Sequence, residues 1–157
     1  SMASAPETLR SVFRQLNPRG ELSALQVAVS DLSDPLAAWD VEGNFHDLQV
    51  DSWSGAPGVT SGTGYFELSD NGGYVIIDSQ QFSMAFPTVF SDPLYFDDFY
   101  GTLNLDWDGE ALLLHSGLIT ATAPEGKAEA MFSLNIPFTE TEPGLEMGLL
   151  VGLTDTQ

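Results

Sequence analysis

Asn104-x-Asp106-x-Asp108-Gly109 comes nearest, in residue type and spacing, to a chemical site: alternate side-chain oxygens there could ring a calcium ion, with glycine at the sharp turn. The rest of that loop pattern is missing, because its first ligand is Asn and its twelfth position is His115 in place of Glu. Asp108-Gly109 is also accounted for as a two-residue hairpin turn, so no metal is expected. His46 and His115 are the only histidines and there is no cysteine, which leaves no thiolate site and no partner for either imidazole; each reads as a residue on a strand surface. A Ser/His/Asp set could be drawn from many serines, yet no Gly-x-Ser-x-Gly elbow is present. Asp97/Asp98 or Asp106/Asp108 could form an acid–base pair, but neighbours on a strand point to opposite faces, which places Asp97 and Asp98 poorly for acting together. Gly55-x-x-Gly58-x-x-x-Gly62-x-Gly64 lacks the Gly-Lys-Ser/Thr ending of a phosphate loop and no helix follows it. Neither catalysis nor a cofactor is expected.

The elements that carry these residues are strands. Phe82/Met84/Phe86, then Phe99/Leu103/Leu105/Trp107, then Phe132/Leu134/Ile136 keep to a two-residue period, the mark of sheet with one apolar face. Strands are expected at about 21–30, 38–50, 63–69, 74–79, 81–86, 95–107, 111–115, 118–123 and 127–136, joined by short Gly, Pro and Asp turns as an antiparallel, sequential meander. In the second strand the apolar positions pass from Trp39, Val41 and Phe45 to Leu48 and Val50, and this change of parity near His46 predicts a bulge that bends the sheet. One helix is expected over 6–17: Ser4-Ala5-Pro6-Glu7 has capping-box spacing, Leu9, Val12, Phe13 and Leu16 follow at helical period, and Asn17-Pro18-Arg19-Gly20 ends the run. The fold class is thus mainly β, a curved antiparallel meander forming an open groove with one short N-terminal amphipathic helix. Residues 1–5 read as a cleavage scar and cap, 6–17 as the helix, 20–138 as the groove segment, and 139–157 as a linker and the first strand of a following segment.

With 157 residues the chain is one domain by length and can bury roughly two-thirds of its unfolded surface. The formal net charge is −19, and residues 20–126 hold 17 Asp/Glu with no Lys or Arg. That field repels nucleic acid, whose binding depends on cations displacing phosphate counterions, and disfavours the surface of an anionic bilayer. No run approaches a membrane span and the first 20 residues lack a signal peptide's apolar core. Any lipid must therefore meet the apolar face of the sheet and not its outside.

Two blocks carry a family resemblance. The first is Asn17-Pro18-Arg19-Gly20-x-Leu22-x-x-Leu25, Trp39-x-Val41-x-Gly43-x-Phe45-x-Asp47-Leu48, Trp53-x-x-Ala56-Pro57-Gly58-Val59, and Gly72-Gly73 before Ile77-Asp78-Ser79. The second is Phe90-x-x-Pro93-Leu94-Tyr95-Phe96-x-x-Phe99-x-Gly101-x-Leu103-x-Leu105, followed by Leu112-x-Leu114 and Ala128-x-Ala130. Together they resemble the AsmA-like YhdP proteins of Gram-negative bacteria over nearly the whole chain. The resemblance implies a piece of a long periplasmic protein anchored in the inner membrane, whose relatives, together with TamB, carry phospholipids to the outer membrane along an extended β-groove. It brings no enzymatic residues.

The residues expected to line that groove are Val27, Val29, Val41, Phe66, Leu68, Phe82, Met84, Phe86, Leu103, Leu105, Leu112, Leu114, Phe132 and Leu134, with phospholipid acyl chains and neighbouring segments of the full-length protein as partners. The alternative is a closed β-sandwich binding module for polysaccharide or a protein partner. There the same residues seal a core, and Trp53 and Tyr95 make the contacts.

Overall fold

Alternation of apolar and polar residues is realised as one continuous antiparallel sheet. The computed structural model describes residues 14–34, 37–52, 57–88, 90–108, 110–137 and 146–154. Its strands are β1 Arg19–Val29, β2 Trp39–Val50, β3 Gly58–Ser69, β4 Gly72–Ala85, β5 Leu94–Trp107, β6 Ala111–Ser116, β7 Ile119–Ala123, β8 Gly126–Pro137 and β9 Glu146–Thr154. Each strand from β1 to β5 pairs with the next in sequence. β6 and β7 then lie end to end between β5 and β8, and β9 closes the far edge against β8. The described strands thus form a single hydrogen-bonded sheet and not the two packed sheets of a sandwich. β9, expected to open a following segment, runs along β8 from Lys127↔Thr154 to Asn135↔Glu146. Of the helix expected over 6–17, residues 14–16 are helical, Asn17 has left the helix at φ 47°, and 6–13 lie outside the described residues.

Two expected strands, 74–79 and 81–86, are one strand, β4. Its apolar positions change parity between Ile77 and Phe82 because Gln81 sits in the left-handed region at φ 56°. The same happens at Ala24 (φ 52°) on β1, Asp47 (φ 53°) on β2 and Ser61 (φ 64°) on β3, where the register shifts. The Asp47 bulge is the one predicted near His46. A left-handed non-glycine residue costs of order 1–3 kcal/mol and survives only where surrounding structure imposes it. One such residue on each of four successive strands, continued by the Ser116–Ile119 break between β6 and β7, draws a crease across the sheet. Along it β2, β3 and β4 each turn their other set of side chains inward, whereas β5 keeps Phe99, Leu103, Leu105 and Trp107 inward throughout.

The crease interrupts backbone pairing, and two buried serines repair it. Between Thr60↔Ser83 and Gly64↔Ile77 the β3–β4 ladder is broken. There the Ser79 hydroxyl accepts the Thr63 N–H at 2.7 Å and donates to the Thr63 carbonyl at 3.0 Å. At the β6–β7 break, Ser116 Oγ accepts the Phe132 N–H at 2.9 Å. Ser79→Ala leaves both Thr63 groups without partners and is expected to cost about 1–3 kcal/mol, read as a lower urea midpoint at unchanged slope. A loss below a few tenths would mean that water replaces the hydroxyl.

Curvature also runs across the strands. Trp39 of β2 and Trp107 of β5 are separated by two strands, about 14 Å on a flat sheet, yet their rings stack with centroids 6.4 Å apart. The Trp107 indole N–H donates to the Asp70 carbonyl at 2.8 Å, fixing the pair over the β3–β4 turn. Gly64 allows the close approach on the inner face, since a Cβ there would strike the Ile76 carbonyl and lie 2.9 Å from the Phe45 ring.

Candidate functional site

The concave face gathers apolar side chains in two clusters. One holds Phe45, Ile77, Phe82, Phe99, Ile119 and Ala121; the other holds Trp107, Leu112, Leu134 and Ile136. Over them runs a trough of about 230 Å³ whose lining reaches from Phe45 and Leu48 on β2 to Leu134 and Ile136 on β8. Every lining residue is apolar or glycine. The one polar hydrogen among them, the Trp107 indole N–H, is already bonded. Leu16, from the helical residues, also lines the trough, and its carbonyl accepts the Asp51 N–H at 2.8 Å, which ties the end of the helix to the β2 end.

Of the residues expected to line a groove, Phe82, Met84, Leu103, Leu105, Leu112, Leu114, Phe132 and Leu134 come together in this trough. Phe66 packs against the first cluster and Leu68 against the second. Val27, Val41 and Leu68 border a different depression of about 390 Å³ across β1 to β4, shared with Asp40, Glu42, Glu67 and Tyr74. Val27 is 62% exposed on the edge strand and Val29 is half-buried beside it. Phe86 lies just past β4, edge-on to Phe90 at 6.4 Å. Sequence reasoning left Leu48, Val50, Val59 and Val75 off the expected groove, and also Phe45, Ile77, Phe99, Trp107, Ile119 and Ile136. The parity change at Asp47 was the signal for the first two; Val59 was hidden in a glycine-rich run that read as loop.

The polar candidates stay apart from the trough. Asn104 and Asp106 alternate with the inward Leu103, Leu105 and Trp107, so they occupy the opposite face. Asp108 caps its own turn, accepting the Glu110 N–H at 2.7 Å and the Ala111 N–H at 3.0 Å, and these bonds hold its carboxyl below the usual range. Among the described residues no group of three His, Cys, Asp or Glu could hold a metal ion. His115 pairs with Asp106 at 3.5 Å on the exposed face. Also on that face, the Tyr65 hydroxyl lies 2.6 Å from both Glu42 and Glu67, and these hydrogen bonds raise its ionisation well above the ordinary phenol range. Tyr95 is 71% exposed, whereas Trp53 lies outside the described residues.

Charge divides between the two ends of the strands. The turns before β2, β4 and β6 carry Asp31, Asp34, Asp70, Asp108 and Glu110, all exposed, with no Lys or Arg. Asp31 is held ionised by hydrogen bonds from the Ser33 hydroxyl and N–H. The opposite end carries the described cations Arg14, Arg19 and Lys127, beside Asp51, Asp92 and Glu125. There Arg19 and Asp51 pair at 3.1 Å.

Compared with known protein families, residues 1–157 match the family described as YhdP protein. No curated protein and no solved structure matches the chain.

Proposed function

We propose, from the premise that this chain belongs to the YhdP family along its whole length, that its apolar trough shields acyl chains and takes part in phospholipid transport through the periplasm to the outer membrane. The observation that carries this reading is the single void lined from β2 to β8 by apolar residues and glycine alone. Each methylene moved from water into such surroundings gains about 0.8 kcal/mol, so about ten of them already contribute about 8 kcal/mol. A cavity of about 150 Å³ suffices for benzene, and by that measure about 230 Å³ takes part of one hydrocarbon tail. The rest of the tail would lie over the neighbouring strands. Partial, undirected contacts of this kind suit passage better than one deep pocket, because a site that must release its cargo cannot hold it too tightly. The full-length protein would be anchored in the inner membrane, with neighbouring segments extending the trough; among the described residues no helix is long and apolar enough to cross a membrane. No catalytic role forms part of the proposal.

Two measurements test it. Purified protein extracted with organic solvent should yield phospholipid by mass spectrometry. Delipidated protein should take up a fluorescent fatty acid saturably, with an emission shift reporting an apolar site. Repeated absence of lipid together with no uptake would overturn the assignment.

A further inference from the structure

The trough and the distribution of charge around it bear on which head group a bound tail can carry. Nothing inside the trough can partner a polar head, because its lining is apolar throughout, so a head must stay at the ends of the strands, where the turns lie. One of those ends carries Asp31, Asp34, Asp70, Asp108 and Glu110 with no cation among the described residues, while the other holds Arg19 and Lys127 next to a similar number of acids. Both ends border the same trough: its lining reaches Trp107 and Leu112 beside the acidic turns, and Val50 and Pro57 at the other end.

We infer that the trough selects amphiphiles by head-group charge, taking tails whose head carries an ammonium in preference to tails with a net anionic head, with the positive group lying towards the acidic turns. The inference rests on the proposed acyl-chain site. Asp70, Asp108 and Glu110, on the two turns beside Trp107 and Leu112, set up at that end of the trough a negative field that salt screens, over a distance of about 8 Å at physiological ionic strength, so the preference is ionic-strength dependent. The tail supplies the affinity and the ends of the strands supply the discrimination.

Binding of dodecyltrimethylammonium, dodecylphosphocholine and laurate, each below its micelle concentration, tests this with the tail held constant. At about 20 mM salt the cationic head should bind about tenfold more tightly than laurate, with the zwitterion between, and at about 0.5 M salt the spread should shrink to about twofold. Asp70→Asn/Glu110→Gln should narrow the low-salt spread. Asp78→Asn/Glu129→Gln makes the same change in net charge at exposed positions on the opposite face and should leave the spread intact. Equal binding of the three heads, tighter binding of laurate, or equal effects of the two double variants would overturn the inference while leaving the acyl-chain site in place. Failure of all three amphiphiles to bind would overturn both.

Discussion

Phe82→Ala is expected to destabilise the protein by about 3–5 kcal/mol, the largest loss at any single side chain of the sheet. Phe82 is the most deeply buried aromatic, at 0% exposure, and its ring lies 4.3 Å from that of Phe99. It follows directly on the Gln81 bulge, so its side chain locks the bend of β4 onto the floor formed by Phe45, Ile77 and Ile119. Truncation removes the ring's own transfer energy and leaves a void that the crease, already held away from ideal geometry, cannot collapse to fill. Urea unfolding should show a large fall in midpoint with little change in slope. A loss under about 1 kcal/mol would mean that this part of the inner face is hydrated, and the packing described for it would be wrong.

The second large effect concerns uptake and not stability. Leu114→Asp should weaken fatty-acid binding by more than about tenfold while the thermal transition moves by only a few degrees. Leu114 is half-buried, lines the trough, and stands between Leu105 of β5 and Leu134 of β8. A carboxylate there keeps its water because the site is open, so the fold tolerates it. A hydrocarbon tail crossing the same floor would have to strip that water, at a cost of several kcal/mol. Met131→Asp places the same charge on β8 at a side chain 43% exposed on the opposite face and should leave uptake unchanged. Equal losses in the two variants, or undiminished uptake in Leu114→Asp, would remove the trough as the place where tails lie.

Much of the architecture was legible because strand period and turn residues agree. Leu103, Leu105 and Trp107 alternate without interruption, and they do share the inner face. What alternation cannot convey is a residue that adopts the left-handed conformation without being glycine. Gln81 made one strand look like two, and Ser61 sits in a run whose glycines suggest a loop, so β3 begins earlier, at Gly58. Ser79 and Ser116 carried no signal at all. A buried serine looks like any surface serine until the break in the ladder that it fills is seen. The candidate groove divided for a related reason: Val27 has the right face and period but sits on the edge strand, where no further strand covers it. Edge and centre are properties of strand order, which periodicity does not encode.

The unbroken meander has its own consequence. β6 and β7 together take the place of one strand between β5 and β8, and every pairing is with a strand at most two positions away in the chain. Closing each hairpin therefore costs little loop entropy, and the molecule can assemble like a zip from any turn outwards. It also makes the trough a quantity measured in hairpins: inserting or deleting a pair of strands would change its length without rethreading what remains, as units are added to a solenoid.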